Sequence, residues 1–140
     1  MFFEFRQNNS GGGFDFDEEA GISVSVIVEA DDYEDANEHA ERIGLYFNGC
    51  ETGQDCDCCG DRWSAQWSSD KGEEVPSRYG TPLIEVEDKF GSWMGDQVDT
   101  FVHLKDGRKF GFHLVDGRYV YRGDDLPLVL DAPGAKAIES

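Results

Sequence analysis

No apolar run in the chain approaches membrane-spanning length, so a spanning helix is not expected. The opening MFFEFRQNNSGGG has no basic start and no continuous apolar stretch, so it does not read as a secretory leader. A cytoplasmic setting is the resulting expectation, and thiols there stay reduced. There is no P-loop, no G-x-S-x-G and no H-E-x-x-H. No catalytic residue is assigned and no enzyme is expected. Internal repeats are also lacking. With 140 residues, the chain reads as a single domain over 1–126, followed by a tail over 127–140 expected to order in part.

Positive charge is scarce. Twelve Lys and Arg face thirty Asp and Glu, a net charge of −18. Residues 1–70 hold seventeen acids and three bases, while residues 71–140 hold thirteen and nine. The acidity therefore belongs mainly to the first half. Such a field repels nucleic acid and anionic membranes and attracts basic partners. Solubility or a salty host cytoplasm would select the same composition.

Cysteine is missing from all but ten residues. Cys50, Cys56, Cys58 and Cys59 fall in the run GCETGQDCDCCGDRW. Four thiols so close can close one tetrahedral shell around zinc, with thiolates at about 2.3 Å from the metal. Cys56 and Cys59 have the C-x-x-C spacing of a metal knuckle, and Gly60 suits the turn after it. Adjacent Cys58 and Cys59 make an ordinary two-knuckle geometry awkward. One of them could be a bystander, with His39 as its replacement. Iron–sulfur ligation fits no standard spacing. Redox activity is disfavoured, because Asp55, Asp57 and Asp61 would raise a thiol pKa. A structural zinc is the expected cofactor.

The fold class expected is α+β: an N-terminal β-hairpin and strand, one amphipathic helix, a zinc-stapled loop at 49–63 and a C-terminal antiparallel β-meander. Phe3 and Phe5 alternate with polar neighbours, as do Phe14 and Phe16, giving the two hairpin strands. Ile22, Val24, Val26 and Val28 mark the clearest strand. Tyr33, Ala36, Ala40 and Ile43 recur at helical spacing, which predicts a helix over 33–43 with Asp31 or Asp32 as N-cap and Gly44 as its stop. Leu45-Tyr46-Phe47 could add a short strand, and residues 64–82 look irregular. Asp106-Gly107 and Asp116-Gly117 are hairpin dipeptides. Two-residue turns at both would place Phe101, His103, Phe110, Phe112, Leu114, Tyr119 and Tyr121 on one face, as core or as an aromatic platform. His103 and His113 would then lie on opposite faces.

The Gly11-Gly12-Gly13 run could present N–H groups to a phosphate. Arg6, Asn8, Asn9 and Ser10 would join it in a polar pocket, with Trp63 as a stacking face. A plain hairpin loop is the alternative.

The opening MFFEFRQNNSGG, together with CDCCGDRW, resembles small uncharacterised proteins of tailed bacteriophages, most closely over residues 1–14 and 49–63. That resemblance implies a non-structural phage product in the cytoplasm of an infected bacterium. It implies no activity. The leading expectation is a phage accessory protein that binds and inhibits a host target, for anti-defence or host takeover. Asp31, Asp32, Glu34, Asp35 and Glu38 would form an acidic face competing for a basic nucleic-acid-binding surface. A basic host protein is thus the expected partner, without direct nucleic-acid or membrane binding. One alternative is a sponge for a nucleotide-type immune signal. Another is a zinc-stabilised structural or interaction domain.

Overall fold

A computed structural model of the protein describes residues 1–8, 15–53, 60–86, 98–105, 107–115 and 118–122. Its first strand, β1 (Phe2–Arg6), puts Phe3 and Phe5 on one face and Phe2, Glu4 and Arg6 on the other. Phe3 and Phe5 are buried, worth about 2–3 kcal/mol each in transfer free energy. The partner of β1 is β2 (Ser25–Glu29), antiparallel, with Phe3 opposite Val28 and Phe5 opposite Val26. This corrects the expected short hairpin. Asp15 and Phe16 form no strand, and Phe16 is exposed. A strand there would have offered Phe16 solvent, whereas β2 offers Phe3 and Phe5 a valine-rich face.

β2 is buried on both sides, as its unbroken apolar and small-polar run requires. Helix α1 (Tyr33–Ile43) matches the predicted range. Asp32 is the N-cap and accepts a 2.9 Å bond from the Asp35 N–H. Gly44 ends the helix at φ 128°, its N–H reaching the carbonyls of Ala40 and Glu41. Ala36 and Ala40, one turn apart and fully buried, let the helix sit close to the sheet. They pack with Phe3, Phe5, Val26, Val28, Ala30, Leu45 and Trp63. Leu45-Tyr46-Phe47 is not a strand. It leads into a single helical turn, α2 (Gly49–Thr52).

Residues 64–82 are largely irregular, as expected, apart from a miniature hairpin of β3 (Ser77–Arg78) and β4 (Thr81–Pro82), and a 3-10 turn follows over Leu83–Glu85. Tyr79 and Gly80 between β3 and β4 both have positive φ, the geometry that a tight two-residue hairpin demands. The chain then enters β5 (Thr100–His103), which runs parallel to β2. β6 (Lys109–Val115) and β7 (Arg118–Arg122) complete a five-stranded sheet in the order β1-β2-β5-β6-β7. The parallel β2–β5 pair welds the two β sections into one sheet, and α1 lies on the crossover between them.

The meander forms, but its first turn is one residue longer than expected. The Leu104 N–H bonds the Arg108 carbonyl, and the Gly107 N–H bonds the Leu104 carbonyl, with Gly107 at φ 94°. A three-residue loop closed by a left-handed glycine results. His103 then pairs with Lys109 and Phe101 with Gly111. One residue of slip flips a face. Phe101 and His103 therefore lie on the side opposite Phe110 and Phe112, and His103 shares a face with His113. The second turn keeps the expected register, Leu114 opposite Tyr119. Phe101 and Phe112 are buried and belong to the core, and Phe110 is half-buried.

Among the described residues no helix is long and apolar enough to cross a membrane. The 127–140 tail lies outside the described residues.

Candidate functional site

Capping chemistry places the acids of the first half. Asp31 and Asp32 precede α1, Glu34 and Asp35 occupy its first turn, and Glu38 and Glu41 follow at helical spacing. Ala36 and Ala40 fix which side faces the core, so all six carboxylates are exposed. Glu34, Asp35 and Glu41 form no ion pair among the described residues, whereas Glu38 pairs with Arg42 at 3.3 Å. The structure thus brings together Asp31, Asp32, Glu34, Asp35 and Glu38 as one surface.

Two elements absent from the sequence argument complete it. Lys105, in the β5–β6 loop, pairs its ammonium with Asp31 and gives its backbone N–H to Glu29 at 3.0 Å. Hydrogen bonding to Lys105 holds the Asp31 carboxyl below its ordinary pKa, and the same bond raises that of Lys105. The Tyr33 hydroxyl is pushed up by the neighbouring Glu34 charge. Glu29, Asp31, Asp35, His39, Arg42 and Lys105 ring a depression of about 220 Å³ that runs along one side of α1. Only the parallel β2–β5 pairing brings Lys105 beside Asp31, so sequence spacing carried no signal for it. This arrangement offers unpaired carboxylates to cations and holds no nucleophile–base pair.

His39, the substitute zinc ligand, instead packs edge-on against His103, with ring centroids 6.2 Å apart. His103 is 4 % exposed, and its Nε2 lies 2.8 Å from the Gly21 carbonyl. Burial pushes the His103 pKa down to about 4, and burial followed by the Arg42 charge lowers that of His39. At neutral pH His103 is therefore uncharged and its Nε2–H donates to Gly21. Gly21 has φ +80°, and a Cβ there would sit 2.6 Å from the His103 ring, so only glycine fits. Among the described residues no three His, Cys, Asp or Glu side chains cluster as metal ligands.

Of the four cysteines, Cys50 is described and half-buried on α2, while Cys56, Cys58 and Cys59 lie outside the described residues. The Cys50 N–H donates to the Asp61 carboxylate at 3.0 Å, which joins the two ends of the cysteine segment. The rest of the GDRW motif is structural. Arg62 donates to the Gln7 side-chain oxygen at 2.8 Å, pairs with Asp15 at 3.2 Å and donates to the Tyr46 hydroxyl at 3.2 Å. Gln7, buried, gives its amide to the carbonyls of Asp15 and Ser23. These bonds satisfy a polar group that burial would otherwise penalise.

Of the polar pocket expected around the glycine run, only Arg6, Asn8 and Trp63 are described. Trp63 is 2 % exposed within the α1–sheet core, so it presents no stacking face. The Arg6 guanidinium lies 4.2 Å from the centre of the Tyr79 ring. Asn8 bonds the carbonyls of Arg62 and Asp61 through its backbone and side-chain nitrogens. Asn9, Ser10, Gly11, Gly12 and Gly13 lie outside the described residues.

The chain belongs to the family described as a domain of unknown function (DUF7296), whose model matches residues 1–121. Neither a curated protein nor a solved structure matches it.

Proposed function

We propose that this protein works by binding, presenting the carboxylates of Asp31, Asp32, Glu34, Asp35 and Glu38 to a basic partner. The observation that carries this reading is the exposure of those carboxylates on one surface, with Glu34 and Asp35 left without ion pairs among the described residues. Lys105 and Arg42 are each engaged by one acid and leave the surface net negative. Against a basic groove such a surface would raise the association rate and compete with nucleic acid for the same site. In the resemblance to phage proteins, the partner is a nucleic-acid-handling or defence protein of the host. A structural zinc on Cys50, Cys56, Cys58 and Cys59 belongs to the same proposal. The Cys50–Asp61 bond supports it, because it already closes the segment that carries the other three.

Neutralising the five acids with Asn and Gln tests the reading. Asp32→Asn keeps a good N-cap, so α1 is retained. Affinity capture from a bacterial lysate with the parent should recover nucleic-acid-binding proteins that the five-site variant fails to recover. Equal recovery by a folded variant, shown by unchanged circular dichroism, would remove the acidic surface from the function.

A further inference from the structure

β1 is an edge strand, and part of its edge is bare. The bonds from the Gln7 N–H to Val24 and from the Ala30 N–H to Met1 set the phase of the β1–β2 ladder. Odd residues of β1 therefore bond β2, and Phe2, Glu4, Arg6 and Asn8 turn their backbone groups outward. Phe2 exchanges two bonds with Glu73, at 2.7 and 2.8 Å, and the Asn8 N–H reaches the Arg62 carbonyl at 2.8 Å. Between those two anchors the chain swings away from the strand. A turn holds it off, in which the Trp67 N–H bonds the Asp70 carboxylate at 2.7 Å and the Asp70 N–H bonds the Trp67 carbonyl at 2.9 Å. Gln66 reaches back to the Glu4 carbonyl at 2.6 Å. The amides of Glu4 and Arg6 and the carbonyl of Arg6 have no partner among the described residues.

These groups line a groove of about 600 Å³. Trp67 and Tyr79 on its walls are 74 % and 71 % exposed. Two large aromatics so open, beside unpaired strand groups, mark an interaction surface more than they mark a stable exterior. The cations at the groove are engaged: Arg6 stacks on Tyr79, and the Lys71 ammonium bonds the Ser68 carbonyl at 3.2 Å. Neither contact cancels a charge, but of the acids lining the groove Glu4 pairs with Arg78 and Asp70 accepts from the Trp67 N–H, so Glu73, with no partner among the described residues, is the carboxylate left open to a cation.

We propose that this groove takes an extended peptide segment of a partner protein, which adds as a short strand along Glu4–Arg6. An apolar side chain of the peptide packs on Trp67 and a cationic one meets Glu73. Main-chain bonds supply the affinity and these two contacts the selectivity. A second copy of this chain could not enter through its own β1. Its own β1 is recessed between the same two anchors, and two recessed edges cannot meet. The groove touches α1 through Asn37, which exchanges two hydrogen bonds with Gln66, but none of the five α1 acids lines it, so the proposal stands or falls independently of the acidic surface.

The test uses a labelled heptapeptide of alternating lysine and valine, and the same peptide N-methylated at alternate residues. The methylated form keeps charge and side chains but cannot pair as a strand. The plain peptide should slow amide hydrogen exchange at Glu4 and Arg6 about tenfold, and the methylated peptide should not. Arg6→Pro removes an outward amide without touching the β2 ladder, and Trp67→Ala removes the apolar wall. Each should weaken binding of the plain peptide, whereas neutralising the α1 acids should leave the exchange protection in place. Equal protection by both peptides, or protection confined to α1, would overturn the proposal. So would concentration-dependent protection of Glu4 and Arg6 without peptide, which would show a second copy in the groove.

Discussion

His103 ties stability to pH through a single residue. Its folded pKa, about 4, lies below the ordinary histidine value of 6.5 given for the unfolded chain. The unfolded chain therefore binds more protons between those pH values, and stability falls as pH drops through that window. The loss attributable to His103 is about 2 kcal/mol by pH 5. His103→Gln keeps a donor for the Gly21 carbonyl and cannot titrate. Denaturant unfolding of the parent at pH 7 and pH 5 should show that loss beyond whatever the variant shows. Identical pH dependence in the two chains would mean that His103 is hydrated in solution.

At the scale of elements, α1 depends on its cap. Asp32→Ala should destabilise the protein by about 1 kcal/mol, and Asp32→Asn should cost a few tenths at most, both read from thermal unfolding. An alanine variant as stable as the parent would mean that packing of Ala36 and Ala40 alone holds the helix. The bounds of α1 were legible because cap, apolar spacing and terminal glycine all lie within the segment itself. β1 was legible from its alternation, and β2 from its β-branched run, though it begins only at Ser25, with Ser23 buried and Ile22 and Val24 half-buried ahead of it; the pairing of the two was not legible. Phe14 and Phe16 carry the same alternation as Phe3 and Phe5, and only burial against α1 decides which partner β1 takes. The β5–β6 register was misread because Asp106-Gly107 suits two turn lengths. The left-handed Gly107 with the Leu104–Arg108 bond selects the longer one. That one residue puts Phe110 and Phe112 on the face away from α1, while the β2–β5 pairing sets His103 opposite Val28 on the α1 side, where it meets His39.

For the molecule as a whole, charge and cysteine pattern state the chemistry without stating the geometry. Composition located the acids in the first half and spacing put five of them at α1. Their exposure together was readable in advance, while Lys105 entered through a parallel strand pair that no local pattern encodes. Trp63 illustrates the converse: beside a cysteine cluster it reads as a binding aromatic, yet the core claims it. The cysteine proposal has its own test at this scale. A native mass spectrum of protein purified without chelator should show one zinc per chain, lost on acidification together with tertiary structure. A metal-free chain of unchanged stability would refute the zinc staple. The most direct test of the central claim is competition. A bacterial nucleic-acid-binding protein captured by the parent is loaded with labelled duplex DNA, and the parent is titrated in at low and high salt. The acidic surface predicts displacement of the DNA by the parent, weakened about tenfold or more between 0.1 and 0.5 M salt and abolished by neutralising Asp31, Asp32, Glu34, Asp35 and Glu38. Capture without displacement, or displacement indifferent to those five substitutions, would contradict it.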